Sequence, residues 1–513
     1  MIKFADSPPI LNCSTLNRNH ICSIEQAPPC PIDKELVDLA KATTTNWIKD
    51  AYLCDFKRRL ENRENSENHI NILIMGGSVT QGAWARGCIC KGSDSCTTSE
   101  DLRQCLENSD ENHCCSWPRQ LRRWIRSKTT AKVNFISYAI GGTTSSTALQ
   151  LYVETLPKFS HLDLVLLDYS VNDACIMWGG NDAVTLNEVE HGMEWLIRRL
   201  LLMYRQIRPQ LVLLNGMPAI FHSGYQYTTA YDKLAQHYSI PLWSYDIVAQ
   251  SDAMTNKSFS KVLRWEDNCK ECGLHPPWIV HLYTADLYAA IIEGEFNRCP
   301  PSNSHSNSSD EKTESLVLPA PLTGYDGIHL CELDSPRHLD ISAENVVRNN
   351  HHKHIGKYSG GWRAVEDRKQ KWGWIDEFDN DSSPHRSMFF KLQESDNLYK
   401  SKKDLLLRVA FLKTYNNTGK FDVYLCGMFL QSIDTCWGDP NKRISTTELS
   451  FIPLSGGVPS GCNHDPSPTI EFRHVRVDYA NKTTDEEGCD RGFEKVSVSR
   501  VSVCNAFDIY ANQ

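Results

Sequence analysis

Residues Ile72–Gly82 read Ile-Leu-Ile-Met-Gly-Gly-Ser-Val-Thr-Gln-Gly. An apolar run of strand length stops at two glycines and gives way to a serine at a helix start. That is the junction expected where a buried parallel strand delivers the chain to the C-terminal edge of a sheet, the place where doubly wound folds build their sites. The glycines allow a sharp turn, and a residue at the helix start offers its backbone N–H outward. Were Ser78 only an N-cap, the serine would be explained but not the glycines on both sides. The G-x-G-x-x-G spacing of a dinucleotide loop is absent.

Outward from this junction, β-rich apolar runs alternate with helical ones. Ile70–Met75, Lys132–Tyr138, Leu164–Tyr169 and Leu211–Leu214 read as strands. Trp117–Lys128, Thr144–Glu154, Asn187–Ile207, Tyr227–Tyr238 and Val280–Glu293 read as helices, and Asp33–Glu61 as one or two more. Near-continuous apolar strands separated by helices predict an α/β doubly wound parallel sheet of the flavodoxin-like kind over residues 33–299, after a Cys/Pro-bearing leader at 1–32. Residues 300–320, rich in Pro, Ser and Asn, read as a linker. Beyond it, in residues 321–513, the runs Leu405–Leu412, Phe421–Leu425, Thr469–Val477 and Lys495–Val503 alternate between turn-rich pieces and predict a C-terminal β-sandwich domain.

Two further strand ends carry polar motifs. Ala139-Ile140-Gly141-Gly142-Thr143-Thr144-Ser145 follows the second strand, and Ser170-Val171-Asn172-Asp173 the third. Gly273-Leu274-His275-Pro276-Pro277-Trp278 precedes the last helix. With these blocks in this order the chain resembles the SGNH-hydrolase superfamily of esterases and acyltransferases, and loosely the SGNH-like proteins of algae and other eukaryotic microbes. The resemblance implies Ser78 as nucleophile, the Gly142 N–H and the Asn172 side chain as oxyanion donors, and His275 as base. Asp326-Gly327-Ile328-His329 offers the superfamily's Asp-x-x-His spacing, but it lies past the linker with no apolar helix behind it, so context favours His275. Cys272 stands where the resemblance places the acid that orients the imidazole, leaving Asp267, or Glu271, for that role. Gly77 stands where many members carry Asp.

The resemblance therefore implies an esterase that removes an acyl group, acetyl above all, from an ester such as an extracellular glycan. An O-acyltransferase working through the same residues, or a glycan-binding or adhesion protein without turnover, are the alternatives. No cofactor and no metal are implied. Gly361-Trp362 and Lys371-Trp372-Gly373-Trp374 offer a sugar-stacking platform or, as the commoner use of tryptophan in a sandwich, packing.

Composition narrows the classes further. The 513 residues hold 54 Lys+Arg against 63 Asp+Glu, a net charge of −9, with 41% hydrophobic residues. A general nucleic-acid binder needs a basic face that this balance does not suggest, and no apolar run approaches the roughly 18 residues of a spanning helix. Twenty cysteines, an even number, favour disulfides and a secretory compartment. Six Asn-X-Ser/Thr sequons, at Asn12, Asn256, Asn307, Asn380, Asn416 and Asn481, agree. Met1–Ile10 has neither the apolar core nor the small-residue cleavage site of a signal peptide, as in a processed chain or a fragment. Residues 87–115 hold six cysteines and read as a disulfide-stapled insertion; the paired CxxC spacing of a zinc site is missing.

Overall fold

The computed structural model describes residues 34–41, 48, 52–62, 69–82, 116–151, 161–176, 183–204, 208–216, 227–251, 275–276, 278–300, 318–320, 322, 330–331, 339–343, 355–359, 362–368, 371–377, 385–391, 405–413, 419–436, 446–454, 469–475 and 495–507. The chain divides into two units, Met1–Gly324 and Tyr325–Gln513.

In the first unit, strands β1 (Ile70–Gly76), β2 (Val133–Ala139), β3 (Leu164–Asp168), β4 (Gln210–Asn215) and β5 (Leu242–Ser244) form one sheet in the order β2-β1-β3-β4-β5. Every pairing is parallel. This is the flavodoxin-like order expected of a doubly wound sheet. β1 and β3 are buried along their whole length, which is why they read as unbroken apolar runs. β2 lies at the edge and is only partly covered. The register places three strand ends together: Gly76 pairs with Ala139 on one side and with Asp168 on the other. The three strands thus finish level, and their outgoing loops emerge side by side.

The helices pack as the apolar spacing demands. Trp117–Lys128 buries Trp117, Leu121 and Ile125, and Trp278–Arg298 buries Val280, Tyr283, Leu287, Tyr288, Ile291 and Ile292 in the same core cluster. Trp117 meets Tyr288 edge-on, with ring centroids 5.4 Å apart. Near the start of the described chain, the Lys34–Ala40 and Cys54–Asn62 helices are tied to the end of the last helix. Cys54 is disulfide-bonded to Cys299 across 245 residues of sequence. Glu295 accepts from Lys41 and, at 2.9 Å, from the Tyr52 N–H. Residues 318–320 and 322 belong to this unit too: the Arg198 guanidinium donates to the Pro319 carbonyl, and the Leu322 N–H donates to Glu194 at 2.6 Å. The Ser170–Ile176 and Tyr245–Gln250 helices and the three-residue β5 are not legible in the sequence, being too short to show a period.

The second unit is a sandwich of two antiparallel sheets. One runs β15 (Thr446–Leu454), β12 (Leu405–Lys413), β17 (Lys495–Phe507), β10 (Lys371–Glu377), β9 (Arg363–Arg368), with β6 (Leu330–Cys331) and β7 (Leu339–Ser342) also paired to β17. The other runs β14 (Met428–Asp434), β13 (Lys420–Leu425), β16 (Thr469–Val475), β11 (His385–Lys391), β8 (Ile355–Ser359). β13 and β16 alternate strictly between buried and half-buried residues, as strands with one face on a core do. Of the two uses open to these tryptophans, packing, the commoner one, holds for Trp362 and Trp374: they are 4% and 0% exposed and sit in the core with Phe390 and Phe472. Burial of large rings in the sandwich outweighs their use at its surface.

A polar cluster crosses that core. Asp376 on β10 in one sheet accepts from Arg386 on β11 at 3.0 Å and pairs with the Nδ1 of His474 on β16 at 2.8 Å, both in the opposite sheet. Asp376 and His474 are fully buried. Burial pushes the His474 imidazole below its ordinary pKa, against the upward pull of Asp376. Asp376→Ala leaves a buried guanidinium without its carboxylate and is expected to cost the second unit about 3–5 kcal/mol, measured by urea denaturation followed through tryptophan fluorescence.

Candidate functional site

The three level strand ends set the site. After Gly76 the chain turns through Gly77, whose backbone is extended, and Ser78 opens a single helical turn, Ser78–Gln81, closed by Gly82 at a φ of 80°. The two glycines are required by their neighbours. A Cβ on Gly76 would lie 2.1 Å from Thr80 Oγ1 and 2.6 Å from the Asp168 carbonyl oxygen. A Cβ on Gly77 would lie 2.2 Å from Asn172 Oδ1. The Asn172 amide is therefore pressed against the backbone immediately before Ser78, in the space that a side chain at 77 would fill.

Ser78 Oγ stands 2.8 Å from His275 Nε2. The imidazole comes from just before the Trp278–Arg298 helix and is pushed down to a pKa of about 4 by burial. It is thus neutral near pH 7, and a neutral ring nitrogen facing a hydroxyl can take up its proton.

The loop after β2 approaches from the other side. A Cβ on Gly141 would lie 3.4 Å from Ser78 Cβ, and Gly142 takes a left-handed φ of 72°. Three polar ties hold this loop. The Gly141 N–H donates to Gln81 Oε1 at 3.0 Å; the Thr143 hydroxyl lies within reach of the Gly76 and Ile140 carbonyls, at 3.2 and 2.7 Å; and the Ser145 N–H donates to Asp173 Oδ1 at 3.0 Å. No acceptor for the Gly142 N–H is found among the described residues.

Two buried carboxyls brace these loops from below. Asp168 Oδ2 accepts from Thr80 Oγ1 at 2.7 Å and from Trp117 Nε1 at 3.1 Å. Asp173 accepts from the Ser145 N–H and, at 2.7 Å, from the Tyr231 hydroxyl. Burial lifts both to about 6, although these hydrogen bonds pull the other way. From the sequence both could support the loop by hydrogen bonding, but each is as easily an ordinary strand-end or loop residue. The available signal is a carboxylate closing or following a wholly apolar strand, where burial obliges it to find donors.

Of the residues singled out in the sequence, Ser78, His275, Asn172 and the Gly141–Gly142 turn are brought together. Asp267, Glu271, Cys272, Asp326 and His329 lie outside the described residues, as do the cysteine-rich residues 87–115. The arrangement sets a hydroxyl 2.8 Å from a neutral imidazole nitrogen, a pair that can activate an oxygen nucleophile, beside the glycine-rich loop after β2 and the Asn172 amide.

No protein-family model and no curated protein matches the chain. Among solved structures it is similar to a two-domain esterase (CEX) active on acetylated mannans, co-crystallized with mannopentaose, at 16% identity, over 89% of this chain and 95% of that one, with a TM-score of 0.49. It is also similar to the esterase EstA from Pseudoalteromonas sp., at 14% identity over 44% of this chain and 98% of that one, TM-score 0.30. A carbohydrate acetylesterase, Est24 from Sinorhizobium meliloti, aligns at 14% identity over 44% and 99%, TM-score 0.28. At such identities shared architecture does not imply a shared substrate.

Gly77→Ala is expected to displace the Asn172 amide by about 1 Å and to lower the stability of the first unit by about 1–3 kcal/mol, through overpacking against a buried side chain. A crystal structure of the variant and its thermal unfolding check the two parts.

Proposed function

We propose that the chain is a serine esterase of the SGNH-hydrolase kind, acting on a small acyl ester, with acetyl esters of extracellular glycans as the leading substrate class. The observation that carries this reading is the 2.8 Å contact between Ser78 Oγ and a His275 imidazole that burial keeps neutral. Ser78 Oγ attacks the ester carbonyl carbon while His275 Nε2 takes its proton. The carbonyl oxygen becomes an oxyanion, held by the Gly142 N–H, the Asn172 side-chain amide and the Ser78 N–H. As the tetrahedral intermediate collapses, the bond to the alcohol oxygen breaks and His275 returns the proton to that oxygen. Water then attacks the acyl-enzyme with His275 again as base, releasing the carboxylic acid and restoring the serine. Asp267 is the proposed acid orienting the imidazole.

The disulfide-bonded state of Cys54, Cys299, Cys426 and Cys436 supports folding in an oxidising, secretory compartment. Among the described residues no helix is long and apolar enough to cross a membrane.

The test is labelling with a fluorophosphonate, followed by intact-mass analysis and a screen of acetylated polysaccharides and aryl acetates. Labelling is expected at Ser78 in the native chain and lost in Ser78→Ala. Ester turnover is expected to fall by at least about three orders of magnitude in both Ser78→Ala and His275→Ala. Absence of labelling in correctly disulfide-bonded protein overturns the reading, and acylated sugar as the main product in place of free acid makes the enzyme a transferase.

The pH profile is a separate prediction. Protonated His275 cannot accept the serine proton, so kcat/KM falls as pH drops through the imidazole's folded-state value. The acid limb is expected near pH 4, about tenfold per pH unit below it, measured on an aryl acetate.

A further inference from the structure

We propose that Gln81 is a positioning residue that locks the Gly141–Gly142 turn to the nucleophile's own helical turn, so that Gly142 rather than Gly141 presents its N–H to the developing oxyanion. The inference rests on the esterase reading. Gln81 lies three residues after Ser78 on the one-turn Ser78–Gln81 helix, and side chains spaced i and i+3 share a helix face. Its Oε1 takes the Gly141 N–H at 3.0 Å, and a Cβ on Gly141 would lie 3.4 Å from Ser78 Cβ. That hydrogen bond occupies the Gly141 amide. The next amide belongs to Gly142, whose φ of 72° turns the chain over and whose N–H meets no acceptor among the described residues.

The flanking ties leave Gly142 little choice of direction. Thr143 is held through its hydroxyl to the Gly76 and Ile140 carbonyls, and the Ser145 N–H to Asp173. Residues 141, 143 and 145 are each pinned by a side chain or carbonyl from a different part of the site, and Gln81 is the tie that comes from the nucleophile's turn. Attack by Ser78 Oγ and capture of the oxyanion must converge on one carbonyl group, so the distance between Oγ and the Gly142 N–H is the geometry that Gln81 sets. Loss of the tie displaces an oxyanion donor without removing a substrate contact, which lowers kcat and leaves KM.

The test compares wild type with Gln81→Met, which keeps the length of the side chain and removes its acceptor, and with Gln81→Ala. Turnover of an aryl acetate is expressed per fluorophosphonate-titrated site, so misfolded protein does not count. Phenylboronic acid, which adds to a serine oxygen as a tetrahedral anion, reports the oxyanion donors independently of turnover. Both variants are expected to lose about 100-fold in kcat, with KM within about twofold, and to bind the boronate about 100-fold more weakly. A purely structural role would lower the titrated fraction and the unfolding midpoint but leave kcat per site and boronate affinity alone, and that outcome overturns the inference. A wild-type chain that neither labels at Ser78 nor binds the boronate overturns the esterase reading and this inference with it. Labelled wild type with unaffected variants overturns this inference alone.

Discussion

The level finish of three parallel strands at Gly76, Ala139 and Asp168 is the constraint on which the site depends. β1 and β3 hold that register while buried along their whole length. A shift of one residue would carry Ser78 about 3.3 Å along the sheet relative to its neighbours, more than a hydrogen bond's length. Ser78 and Asn172 lie two and four residues after the ends of β1 and β3, the two strands that flank the reversal of strand order, where doubly wound sheets open a crevice at their C-terminal edge.

Close approach without side chains is the second requirement. Gly76 and Gly77 have no room for a Cβ because Thr80, the Asp168 backbone and the Asn172 amide occupy it. In this arrangement a side chain at 77 would displace the Asn172 amide. Burial then acts with opposite results on the ionisable groups around this crevice. It lowers the His275 imidazole, keeping it unprotonated near neutral pH though a weaker base, and raises the Asp168 and Asp173 carboxyls that brace the loops. The same low-polarity surroundings therefore favour the neutral form of base and braces alike.

The sandwich unit solves a different problem. Its two sheets are joined by an apolar core of Trp374, Phe390, Phe421 and Phe472, and the Asp376, Arg386 and His474 cluster sets one particular pairing of strands across it. An apolar contact tolerates sliding, whereas a buried carboxylate held by a guanidinium and an imidazole does not.

The sequence by itself determined the α/β character of the first unit and the β character of the second, because two-sided burial writes unbroken apolar strands and one-sided burial writes alternation. It also marked Ser78 by the glycines around it at the end of an apolar run, while Gly142, Asn172 and the preference for His275 over His329 came through the resemblance to SGNH hydrolases. Tertiary structure alone decided that these ends lie level, that Asn172 fills the space above Gly77, and that Trp362 and Trp374 turn inward. It alone assigned Gln81, Asp168 and Asp173 their partners, which lie 60, 88 and 28 residues away. Local periodicity records which face of an element is covered. It carries no record of which distant donor meets a given acceptor, since that is fixed by strand order and register.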